Sequence, residues 1–271
     1  MTGKLVRIRK TTMGMKKEFP TEDYDFGIAI QPEDCEDAIV RILHCSPSLK
    51  EGDSVARGDV IGSTIRSRYF NYWTGPHYHI ELMRLDSFPR STRSYQLTLP
   101  FRFESKKIEE LPSSVEFLID TVSEDFIAGY PKGLSHTTID GYTGLSGICN
   151  GKDVVGILDG GLSHYKHGGV IGHTNSIEGS IIGLQEVPVG TIERSLTGSS
   201  FFLRNPSLSS SLDGKELRGL SCFIYPKHYV KHGIPRLLLI PKSYGEFVGQ
   251  FSEGDMCQLR IDSANNTIKA E

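Results

Sequence analysis

A chain of 271 residues is long enough for one large or two medium domains, each with its own core. Its formal charge of −3 excludes a basic nucleic-acid footprint, and no apolar stretch reaches the length of a membrane span. With 38% hydrophobic residues, 23% charged residues and 29 glycines, the composition predicts a turn-rich, mainly β globular protein. Five cysteines (Cys35, Cys45, Cys149, Cys222, Cys257) are odd in number and form no CxxC pair. That pattern predicts reduced thiols, and with a basic N-terminus lacking an apolar run it predicts a cytoplasmic protein.

Lys4 to Arg9 alternates apolar and charged residues, the mark of a half-buried strand. Phe26 to Ile30 reads as a second strand, and Ala38 to Leu43 as a third leading into His44. Acidic residues crowd the connections: Glu22, Asp23, Asp25, Glu33, Asp34, Glu36 and Asp37. They predict a solvated loop edge, or a carboxylate, Asp23 or Asp25, turned toward a metal. Two turns follow, Glu51-Gly52-Asp53 and Arg57-Gly58-Asp59, and then Thr74-Gly75-Pro76-His77-Tyr78-His79-Ile80-Glu81. Alternation along a strand sends both imidazoles to one face and Tyr78 and Ile80 to the other, toward a core. Two imidazoles one strand repeat apart suit a metal, or one ligand and one proton-transfer group.

Ser94 to Leu99 alternates again until Pro100, and the charged segment Glu104 to Pro112 marks the passage to a second region. Ser113 and Glu116 have capping-box spacing, and Val115, Leu118, Ile119 and Val122 form a stripe that predicts one short helix. From Gly129 onward, short apolar runs separated by glycines predict a second all-β domain. Ser207 to Ser211 reads as an exposed loop, and Phe251 to Asp255 echoes the Lys50 to Asp53 turn. The fold expected is all-β, with domains over 1–103 and 113–271.

A second histidine cluster runs from Asp159 to His173 and includes His164 and His167. Imidazoles with a carboxylate suit zinc or iron, although a polar turn-rich loop with incidental histidines accounts for it equally. Five glycines at 160, 161, 168, 169 and 172 predict a loop there and not a helix. His228 and His232 have a metal-like spacing, but Pro226 and Gly233 bracket them too tightly for a helix. His136 and Asp140 have a His-then-Asp spacing that follows the His77–His79 strand. No nucleophile elbow, Walker loop or dinucleotide fingerprint occurs.

Three pieces, Ile42-Leu43-His44, the Gly-Asp turns from Glu51 to Gly62, and Thr74 to Glu81, together resemble the catalytic domain of the lysostaphin/LytM-type zinc endopeptidases. The resemblance implies a barrel-sandwich-like β-domain, Zn2+ as cofactor, and peptide or cell-wall-like substrates. It implies that His79 ligates the metal, and that the catalytic histidines His44 and His77 orient water and stabilise the oxyanion. The family's other two ligands, a His and an Asp four residues on, lie upstream of the position matched by His44, and no histidine precedes His44. Asp23 or Asp25, or His164, His167 and His173, are the residues left to complete a site. Two functions follow: a non-catalytic binding or assembly module with a protein partner, or a zinc-dependent peptidase completed from outside the usual motif.

Overall fold

The computed structural model describes residues 1–88, 94–98, 106–107, 115–149, 151, 153–172 and 178–264. It divides into two compact units, Met1–Leu97 and Thr98–Glu271. The protein is all-β: among the described residues, helical structure is limited to three-residue 3-10 turns.

In the first unit the strands are β1 (Gly3–Thr12), β2 (Tyr24–Pro32), β3 (Ala38–Leu43), β4 (Cys45–Pro47), β5 (Ser54–Val55), β6 (Gly62–Thr64) and β7 (His79–Arg84). Five of them form an antiparallel sheet in the order β5-β1-β2-β3-β7, and β4 pairs with β6. Strands β2 and β3 are covered on both faces, which is why FGIAI and AIVRIL read as near-continuous apolar runs. Leu5, Ile28, Ile30, Val40 and Ile42 fill one core, and Ala29, Ile39, Met83 and Phe88 fill another. Each of these side chains larger than alanine contributes about 1.5–3 kcal/mol through burial.

The Gly-Asp turns have one chemistry. Gly52 and Gly58 take φ of 97° and 99°, and the Asp carboxylate accepts from the backbone three residues back, at Lys50 and Ala56. Gly254 (φ 91°) and Asp255 build the same turn onto the Ser252 N–H, so the echo lies in the turn itself.

Tyr78 and Ile80 do not enter the core; they are 58% and 55% exposed. Ile80 lies opposite Ile42 on the core side, but β7 is the edge strand of its sheet. From the expected strand Ser94 to Leu99, Ser94 makes a single bridge to Met83 and residues 95–98 are not in a strand; Leu99 lies outside the described residues.

In the second unit, fifteen strands among the described residues join one antiparallel network. The expected helix is instead the strand Val115–Val122, with Val115, Phe117 and Ile119 buried in alternation. That period of two, with β-branched residues on the buried face, overrides the capping-box spacing; Ser113 itself lies outside the described residues. The serine tract is also a strand, Leu208–Leu212, because Leu208, Ser210 and Leu212 face inward.

The glycine-rich segment is a hairpin and not a loop: Asp153–Leu162 and His167–Ile171 pair with each other. Its glycines make room for an aromatic ring. A Cβ at Gly168 or at Gly190 would fall 2.4 Å from Phe202, which lies on the strand between them. His173 lies outside the described residues.

Candidate metal centre

His44, His77 and His79 converge in the first unit, their candidate donor atoms all within 4.8 Å of one another. Strand pairing explains His79: it lies opposite Leu43, which lies opposite Gly27, so His79, Leu43 and Gly27 share a face. By alternation His44 would point to the other face. It does not, because it has φ of 63°, a left-handed conformation rare outside glycine. That turn swings the ring back beside His79, at a backbone cost of about 1–3 kcal/mol. Its N–H still donates to Phe26 O, and its carbonyl accepts from Ile65 N. Ile65 in turn bridges to His77, which ties the second histidine to the first.

Second partners fix the tautomers. His44 Nδ1 donates to Asp25 Oδ2 at 2.7 Å, which leaves Nε2 as its free donor atom. His77 Nδ1 donates to the Gly75 carbonyl at 2.8 Å, again leaving Nε2, which lies 3.2 Å from His79 Nε2. Two imidazole nitrogens on one tetrahedral zinc, with Zn–N of about 2.0–2.1 Å, stand about 3.3 Å apart. The pair therefore already has the spacing of two ligands on one ion. Phe70, buried, packs its ring edge-on against His44 and His77 at 4.6 and 4.7 Å and backs the cluster with apolar surface. His77 is half-buried and His79 exposed, so the cluster is open to solvent on their side.

Asp25 is buried, and both of its oxygens are engaged. Oδ2 accepts from His44 and from Ser67 Oγ at 2.8 Å, and Oδ1 accepts from Phe26 N at 2.7 Å. Burial raises its pKa, but the bonds from His44 and Ser67, the His44 charge and the Phe26 N–H outweigh that effect and hold it below the ordinary carboxylate value. Burial also lowers the pKa of His79, helped by His44 and His77 and opposed by Glu81 and Asp25. A neutral imidazole is the form a metal takes.

A family model described as "Domain of unknown function (DUF8155) N-terminal domain" matches residues 1–99. No curated protein matches. Among solved structures, the NMR solution structure of lysostaphin aligns at 16% identity and a TM-score of 0.20, over 75% of this chain and 80% of that one. At that score the likeness carries no argument, and the reading of the site rests on its geometry.

Of the residues singled out from sequence, Asp25, His44, His77 and His79 come together. His164 and His167 belong to the second unit and have partners there. His164 Nδ1 donates to Leu162 O, its Nε2 accepts from Ser221 Oγ at 3.1 Å, and His167 pairs with Glu193 at 3.3 Å. Asp23 uses its backbone carbonyl in the β1–β2 connection, accepting from Met13 N. His136 is an exposed strand residue, and His232 packs on the Tyr130 ring. Sequence reasoning missed Ser67, Phe70 and the Gly75 carbonyl. They sit in turns and irregular chain, where no periodicity marks them.

Proposed function

We propose that the first unit is a zinc centre of the hydrolytic kind, with His44, His77 and His79 as its three ligands and peptide bonds as its substrate class. The observation that supports this reading is the fixed pair of Nδ1 protons on His44 and His77, which turns two lone pairs toward His79. This reassigns His44 and His77 from the proton-transfer and oxyanion roles that the resemblance implies. Closed structural zinc sites use four protein ligands, whereas catalytic ones use three and keep one position open. When bound, zinc supplies a Lewis acid that polarises a carbonyl and makes water a stronger nucleophile.

The chain's own residues prepare that site. Asp25, ionised, holds the His44 Nδ1 proton and makes Nε2 a stronger donor; the Gly75 carbonyl does the same for His77. Phe70 excludes water from one side. Arg41 holds Glu81 through Nε at 2.6 Å, so that carboxylate is already committed. The peptide substrate class comes from the resemblance of Thr74 to Glu81 alone.

A second reading has its own support. Asp25 and Glu81, the two carboxylates that act on His79, are both committed, and neither is free as a general base. This favours a metal-carrying binding or assembly module with a protein partner. Elemental analysis and a peptide-library cleavage assay, with and without chelation, separate the two. One zinc per chain with chelator-sensitive cleavage, both lost in His79→Ala, supports the hydrolase. Zinc without cleavage supports the module. Absence of zinc binding removes both metal readings.

A further inference from the structure

The sheet face that carries the histidines also carries a trough. A cavity of about 240 Å3 lies on it, lined by Arg9, Asp25, Gly27, Arg41, Leu43 and His44 among others. Strand register arranges its floor. Arg9 lies opposite Gly27, Gly27 opposite Leu43, and Leu43 opposite His79, so the four residues form one transverse row on a common face. Gly27 has no side chain in that row, and a Cβ there would meet Leu43 Cδ2 at 3.4 Å and the Phe88 ring, a wall of the trough, at 3.5 Å.

The charges along the trough are unequal in kind. Asp25 is engaged by His44, Ser67 and its neighbour's N–H. Arg41 is buried and engaged by Glu81 and by Phe88 O at 2.9 Å. Arg9 is exposed, and its guanidinium has no hydrogen-bond or ion-pair partner among the described residues. Among the described residues the trough therefore has one uncompensated charge, a cation, at the end of the row away from the histidines. A guanidinium suits a carboxylate, which it grips with two parallel hydrogen bonds.

We infer that this trough binds an extended peptide whose carboxylate, at its C-terminus or on an acidic side chain, sits on Arg9. Three strand spacings separate Arg9 from His79, about 14 Å, which is about four residues of extended chain. The bond presented to the histidine cluster is thus three to four residues from the carboxylate. The inference rests on the proposed function for the peptide nature of the ligand and for what happens at the histidine end; recognition of a carboxylate at Arg9 stands without the metal.

The test is a calorimetric titration of the full chain, as purified and after chelation, at low salt. The probes are acetyl-tetraalanine with a free C-terminus, the same peptide as its C-terminal amide, and acetyl-trialanyl-aspartyl amide. At least one carboxylate peptide should bind about tenfold tighter than tetraalanine amide, and which one does so identifies the source of the carboxylate. Arg9→Gln should erase that preference while leaving metal content unchanged. Equal binding of acid and amide forms, no binding of any probe, or a preference that survives in Arg9→Gln overturns the inference. A preference seen in a protein that binds no zinc keeps the trough and removes the metal reading.

Discussion

His44 in the first unit and His164 in the second are both shielded imidazoles whose Nδ1 proton is given to an oxygen. At His44 that oxygen belongs to an ionised carboxylate, and the far nitrogen faces two other imidazoles. At His164 it belongs to a neutral carbonyl, the far nitrogen accepts from Ser221, and burial, aided by Arg204 and Arg218, takes the pKa down to about 4. His164 is also walled in: a Cβ at Gly219 would lie 2.5 Å from its Nδ1, and one at Gly161 would lie 2.4 Å from its Nε2. The difference teaches that a histidine becomes a site through what its second nitrogen lacks. Burial and a well-made hydrogen bond are common to both.

The largest consequence falls on the second unit. A His164 pKa of about 4 in the folded state, against about 6.5 unfolded, means that the unfolded chain binds the proton first as pH falls. The stabilisation is complete above pH 6.5 and is lost as pH falls toward 4, on the order of 3 kcal/mol in all. Urea unfolding of the second unit from pH 7.5 to 4 should show that slope, and His164→Gln should flatten it. A slope unchanged in the variant would mean that His164 is no more constrained than an exposed histidine, and the contrast with His44 would fail.

A smaller effect belongs to Asp25. Asp25→Asn keeps the shape but removes the charge that holds the His44 proton, and it should weaken zinc binding by about 10–100-fold. Competition against a chromophoric chelator measures this. An unaltered affinity would show that His44 needs no anionic partner, which would make its Nδ1 bond equivalent to that of His164.

Much of this contrast was open to inspection in the sequence, and the part that was not has a physical cause. His77 and His79 announce a shared face because strand alternation is strictly periodic. His44 could be matched only through resemblance, since a left-handed turn at a non-glycine residue leaves no periodic trace. Asp25 is singled out with Asp23 from seven acidic residues, as a metal ligand and not as the partner of His44; its place in β2, opposite Thr11, is a matter of register. The second unit misled for the opposite reason. Its glycines and serines suggested loops at Gly168 and Ser210, yet both are strand residues, chosen small for the Phe202 ring and for an inward-facing position. Val115 to Val122 fits a stripe of either period, and burial on alternate residues decides for the strand.

X-ray absorption at the zinc edge, on protein loaded with one equivalent, examines the three-histidine centre most directly. Three imidazole nitrogens at about 2.0–2.1 Å with one further light-atom ligand are expected, falling to two imidazoles in His44→Ala. A sulfur scatterer in the wild type, or an imidazole count that His44→Ala leaves at three, would contradict a site built from His44, His77 and His79.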